Sequence, residues 1–259
     1  MHASDAPSRD LPAFTADLLA ELRARAPRVH CLTNAVAQSF TANVLLAIGV
    51  TPSMTMSADE VADFVGGVDA LLINLGTLDP ARRAVMDIGV AVANAAAIPW
   101  VLDPVKVDRS KIRADYARAL VARKPAAIRL NAGEFAALSG EATAPDTIRA
   151  YARARACTIA MTAEADIVSD GEKTFEIRNG DPLMTQVTAM GCAESAVVAA
   201  FLAVGKNAAV AAASALLAFN VAGEIAAKRA RGPGSFVPEI LDALFRLDAD
   251  ALRQYAKVS

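Results

Sequence analysis

The chain has 259 residues, a formal net charge of −2, and 26 basic residues scattered among 28 acidic ones. That length allows one large domain or two small ones, and the mixed charge lacks the basic stripe that nucleic-acid binding requires. Three widely spaced cysteines, Cys31, Cys157 and Cys192, make neither a disulfide framework nor a zinc pair. Reduced thiols and a cytoplasmic setting are expected.

Residues 1–10 are polar, with no apolar signal core, and are expected to form a flexible tail. Residues 29–32 are an apolar run ending in Thr33–Asn34, and a helix follows over 38–48, stopped by Gly49. Residues 70–73 read as a second strand, ending in Asn74-Leu75-Gly76-Thr77. Pro80 then opens a helix to about Ala97, because proline fits a helix's first turn. A third strand over 100–102 ends at Asp103–Pro104. A fourth, over 126–130, ends at Asn131 and leads into a short helix to Leu138. Residues 157–161 read as a fifth.

Strand, polar loop and helix in repetition predict a parallel sheet with helices on its faces. Continuous apolar strands fit a sheet covered on both sides. Residues 166–169 and 173–177 flank Asp170–Gly171, a hairpin signal that predicts one late antiparallel excursion. Helices are expected over 191–204 and 207–229. The alanine-rich stretch 208–223 reads as a buried helix and not as a membrane span. With no linker or repeat, one α/β domain over 1–259 is expected, a three-layer sandwich. Its ligands belong at the carboxyl ends of the strands. Thr33–Asn34, residues 74–77, Asp103, the Arg129–Asn131–Glu134 group and Thr162 all fall there.

Residues 188–195, Thr-Ala-Met-Gly-Cys-Ala-Glu-Ser, precede a strongly apolar helix. A helix start offers free amides and a partial positive charge to an anion. A thiol at Cys192 is expected to have a lowered pKa there and to serve as a base. The alternative is an ordinary loop-to-helix junction with a buried cysteine. Asn131 and Glu134 fit either a capping box or a water-mediated Mg²⁺ site. Asp103 suits metal or water binding, or merely caps a turn before Pro104. Arg129 suits phosphate oxygens, or a surface ion pair. Glu194 reads as a residue that complements the helix dipole. His30 reads as a satisfied core histidine, and Met54 and Met56 as core or pocket-wall residues.

The ordered series Val29-His30-Cys31-Leu32-Thr33-Asn34, Phe40-Thr41-Ala42-Asn43, Pro52-Ser53-Met54, Asn74-Leu75-Gly76-Thr77-Leu78, Val101-Leu102-Asp103-Pro104-Val105, Ile128–Arg129, Gly191–Cys192 and Gly232-Pro233-Gly234-Ser235-Phe236 resembles the hydroxyethylthiazole kinase family. The match spans about Val29 to Leu247. The resemblance implies a ribokinase-like fold and phosphorylation of 4-methyl-5-(2-hydroxyethyl)thiazole by ATP and Mg²⁺, in a homotrimer. It implies thiazole contacts from Asn34 and Met54, and ATP contacts from Arg129 and Thr162. Asp103 and Glu134 would organise Mg²⁺. Ala189 to Cys192, with Gly191, would form the anion hole, and Cys192 would take the place of a catalytic aspartate.

The family's Gly-Thr-Gly-Cys is here Ala189-Met190-Gly191-Cys192, and glycines are also missing at Leu130 and Ala163. The departures imply altered phosphate binding. They keep two other readings in view: a weak or inactive protein that binds thiazole or nucleotide, and a kinase of another small heterocyclic alcohol.

Overall fold

The computed structural model describes residues 10–259. The expected tail lies outside the described residues, apart from Asp10 in the turn ahead of the first helix. In chain order the elements are α1 (Leu11–Arg25), β1 (Arg28–Leu32), α2 (Gln38–Ile48), β2 (Thr51–Ser53), α3 (Val61–Gly66), β3 (Ala70–Asn74), α4 (Pro80–Ala95) and β4 (Trp100–Asp103). There follow α5 (Lys111–Val121), β5 (Ala127–Asn131), α6 (Ala132–Ser139), α7 (Pro145–Arg155), β6 (Thr158–Thr162), β7 (Asp166–Ser169) and β8 (Thr174–Ile177). The chain closes with α8 (Met190–Val204), α9 (Ala208–Ala227), α10 (Pro233–Arg246) and α11 (Ala249–Tyr255).

The strands form one sheet in the order β2-β1-β3-β4-β5-β6-β7-β8. Pairs from β2 to β6 are parallel, and β6–β7 and β7–β8 are antiparallel. The expected hairpin around Asp170–Gly171 is the β7–β8 turn. Asp170 accepts there from the amides of Glu172 and Lys173 at 2.9 and 2.7 Å.

Because successive strand residues face opposite sides, each strand supplies two cores. Ala70, Leu72, Val101, Ala127 and Ala160 face a layer built from α1, α2, α8, α9 and α10. Leu71, Ile73, Trp100, Leu102, Ile128, Leu130 and Ile159 face a second layer built from α3 to α7. The first face carries the small residues, so α8 and α9 lie close on the sheet. Both are alanine-rich and buried along almost their whole length. Among the described residues, α9 alone is long and apolar enough to cross a membrane. Its burial makes it the core helix that the sequence predicts.

His30 is buried, and its Nδ1 lies 2.7 Å from Ser53 Oγ. Its Nε2 has no partner among the described residues, so it is only half satisfied. Burial drops its pKa to about 4 despite the nearby charge of Glu60, and the ring stays neutral.

Candidate active site

The carboxyl ends of β1, β3, β4 and β5 converge on the start of α8. Asp103 ends β4 beside Asn74, its register partner at the end of β3. Asn74 Nδ2 donates to Asp103 Oδ2 at 2.7 Å, and Ser195 Oγ of α8 donates to the same oxygen at 2.9 Å. Asn34 Nδ2 in turn reaches Asn74 Oδ1 at 3.0 Å and Cys192 Sγ at 3.4 Å. A continuous string therefore runs from the Cys192 thiol through two asparagines to a buried carboxylate. Gly76 is required for it, because a Cβ there would stand 2.7 Å from the Asn34 side chain.

Asp103 is 1% exposed, and burial pushes its pKa up to about 7. The Arg129 charge and the Ser195 and Asn74 hydrogen bonds pull it down, while Glu134 pushes it up. Asp103 is thus poised to change charge near neutrality.

Arg129 projects from β5 to α8, where its Nη2 donates to Glu194 Oε2 at 2.5 Å. The two side chains are only 13% and 6% exposed. This is a buried ion pair, so the surface-pair reading of Arg129 is corrected. Glu194, read in the sequence as a residue that complements the helix dipole, lies beyond the helix's first turn and is committed to this pair. Burial works against the Arg129 charge, but Glu194, Asp103 and Glu134 more than offset it and hold the guanidinium protonated. Beyond Glu194 lies Asp166, buried at the start of β7, which accepts from the Ala163 amide at 2.9 Å and from Asn220 Nδ2 at 2.7 Å. Burial first, and the Glu194 charge second, push Asp166 up to about 7.

Glu134 realises the capping box. Its Oε2 accepts from the Asn131 amide at 3.0 Å, and Asn131 Oδ1 accepts from the Glu134 amide at 2.9 Å. Glu134 Oε1 also accepts from the Lys106 amide at 2.8 Å. Lys106 contributes its backbone here, while its side chain is exposed.

Helix α8 begins differently. Its cap, Ala189, has no side-chain cap bond and adopts φ 67°. The left-handed turn is therefore made by an alanine, at a modest strain. The helix's first internal bond runs from the Ala193 amide to the Ala189 carbonyl at 2.9 Å, so the amides of Met190, Gly191 and Cys192 precede it. Met190 is buried and joins the α8–α9 core. Gly191 packs under Arg129, and a Cβ there would lie 2.6 Å from Nη1. Thr77 and Lys106, in the loops after β3 and β4, also have positive φ.

The lowered pKa expected for Cys192 is overturned. Burial and then the Asp103 charge push the thiol up to about 11, against weaker pulls from Asn74, Asn34 and Arg129. The helix start does not make a thiolate because Cys192 is half-buried beside a carboxylate. Thr162 ends β6 at the same mouth, its Oγ1 donating to the Leu130 carbonyl at 3.4 Å. Met54, just past β2, packs partly buried against the α8–α9 core. Met56 lines a small pocket with Leu32, Thr55 and Arg82. Ser195 and Asp166 escape a sequence reading of the site. Ser195 is one small residue in an apolar helix, and Asp166 looks like a hairpin residue.

Among the described residues no three His, Cys, Asp or Glu side chains cluster as metal ligands. Asp103 and Glu134 still suit Mg²⁺, which takes one or two carboxylates and keeps its water. Burial makes the Asp103 charge costly, and a cation would relieve it. Glu134, with both oxygens engaged by amides, reaches such an ion only through water.

A mainly parallel sheet, covered by helices on both faces and bearing a charged cluster at its strand ends, makes this an α/β protein whose site lies at the strand ends, and its fold is ribokinase-like. A ribokinase-like superfamily protein from Enterococcus faecalis shares this fold at a TM-score of 0.68, with 16% identity over 93% of this chain and 95% of its own. The match to the hydroxyethylthiazole kinase family covers residues 19–250, and the chain belongs to that family. It is 45% identical over 248 residues to a hydroxyethylthiazole kinase from Klebsiella pneumoniae, covering 91% of this chain and 96% of that one. The hydroxyethylthiazole kinase protein of Pyrococcus horikoshii has a solved structure that superposes at a TM-score of 0.92, with 37% identity over 95% of this chain and 98% of its own.

Proposed function

We propose that the protein transfers the terminal phosphate of ATP to the hydroxyl of 4-methyl-5-(2-hydroxyethyl)thiazole, in thiamin salvage. The observation that carries this reading is the uncapped start of α8, with Arg129 beside it and the Cys192–Asn34–Asn74–Asp103 string reaching it. Free amides and a guanidinium match a transferring phosphoryl group. The string leads from that point to a carboxylate poised near neutral pH. Alanine at 189 keeps the left-handed turn, which favours an active kinase over a binding protein.

In this reading Asn34 and Met54 hold the thiazole and Ala189 shapes the turn over it. Gly191, Arg129 and Thr162 hold the nucleotide's phosphates. Asp103, and Glu134 through water, hold Mg²⁺, which when bound neutralises charge on the phosphates. Cys192 lies at the reacting alcohol as a neutral thiol and orients it. The alcohol's proton leaves to a phosphate oxygen or to water, and the loose transition state of phosphoryl transfer asks little of a base. Positioning and electrostatic stabilisation then supply most of the rate. A cytoplasmic homotrimer completes the reading.

The test is ADP release from the purified protein with Mg-ATP, with and without the thiazole alcohol. Turnover that depends on the alcohol is expected. ATP hydrolysis indifferent to it, or no turnover, would contradict the assignment.

A further inference from the structure

The Arg129–Glu194 pair is more than a neutralised charge. Glu194 lies one helical turn beyond Gly191, and its carboxylate takes Nη2 of Arg129. The same guanidinium presses on Gly191 through Nη1. Its Nε is buried and has no partner among the described residues. One acceptor therefore fixes a planar group against the helix start and leaves its other donors uncommitted. Buried donors without acceptors are costly, so that arrangement points to an anion arriving at the turn.

We propose that Glu194 is the positioning residue for Arg129, holding its guanidinium flat against Gly191 so that the remaining N–H donors face the phosphates of the bound nucleotide. The inference rests on the reading of this site as a nucleotide-dependent kinase. Glu194 acts through geometry, not through its charge, which by itself would repel a phosphate.

Two conservative variants separate position from charge. Glu194→Asp keeps the charge but withdraws the acceptor by one methylene. Glu194→Gln keeps an acceptor oxygen in place and discards the charge. Mg-ATP affinity is measured by calorimetry on the full chain, in the wild-type and Arg129→Ala backgrounds, with thiazole-dependent ADP release read in parallel. Glu194→Asp is expected to weaken Mg-ATP binding about tenfold, the scale of one misplaced hydrogen bond to a charged group. Glu194→Gln should stay within about threefold, because neutral acceptors still satisfy Nη2. The KM for the thiazole alcohol should stay within about twofold in both, since Asn34 and Met54 are untouched. In the Arg129→Ala background Glu194 and Glu194→Asp, which carry the same charge, should be indistinguishable, as a double-mutant cycle requires of a residue acting through its partner.

The opposite order, with Gln weaker than Asp, overturns the proposal. So does a Glu–Asp difference that survives without Arg129, or a wild-type chain that does not bind Mg-ATP. If the expected order of affinities appears but no thiazole-dependent ADP is released, the substrate assignment fails and the role of Glu194 stands.

Discussion

Of the helices that begin at the carboxyl end of the sheet, α6 and α8 handle their unpaired amides in opposite ways. Helix α6 closes its own start: Asn131 and Glu134 cap each other, and Glu134 reaches across to the Lys106 amide as well. Helix α8 leaves its start open. Ala189 offers no side-chain acceptor, and the turn is held left-handed at φ 67°. A self-capped helix has used up its affinity for an anion, whereas an uncapped one retains it. The comparison divides the site into a scaffold on the α6 side and a phosphate-facing loop on the α8 side.

Asp103, bonded to Ser195 of α8, gives the largest expected effect. Asp103→Asn should lower kcat by about 10²- to 10³-fold, the scale of a lost proton-transfer or charge-stabilising group. It should also change stability against pH. The folded pKa near 7 lies above the ordinary 3.8, so the folded form binds a proton that the unfolded chain releases between those values. That stabilisation is complete below about pH 3.8 and is lost as pH rises through 7. The wild-type melting temperature should fall between pH 4 and 7. The variant should keep only part of that slope, because Asp166 is shifted the same way.

On the α8 side, Cys192→Ala should reduce kcat about tenfold or less, because a protonated thiol orients the alcohol but does not deprotonate it. A loss of 10³-fold would make Cys192 the base after all and break the account of the string. On the α6 side, Asn131→Ala should cost about 1 kcal/mol of stability through the lost cap and leave the KM for ATP within about twofold. Equal damage to ATP binding would erase the distinction between the helices. The smallest effect is at Ala189. A glycine relieves the left-handed strain but adds unfolded-state entropy, for a net gain of about 0.5 kcal/mol in denaturant melts.

The uneven legibility of the sequence follows the same division. Alternating apolar runs and helix stops gave the parallel strands and the alanine-rich core helix, because their signals are local. The α6 cap was legible for the same reason: Asn131 and Glu134 are three residues apart. What the sequence hid was long-range. Ser195 meets Asp103 across 92 residues, Glu194 meets Arg129 across 65, and Asn220 meets Asp166 across 54. Cys192 was misjudged because a helix start lowers a thiol's pKa only while the thiol stays solvated, and burial beside Asp103 is invisible until the chain is folded. Helices α1, α5 and α7 and the short strand β2 lie between polar stretches whose pattern is weak. Packing against the two faces of the sheet decides them.

The most direct test of the account compares thiazole-dependent ADP release by the wild-type protein and by Asp103→Asn, each saturated with Mg-ATP. The account predicts turnover that requires the thiazole alcohol and drops at least about a hundredfold in the variant. Turnover that survives intact in Asp103→Asn would remove the strand-end cluster from the chemistry.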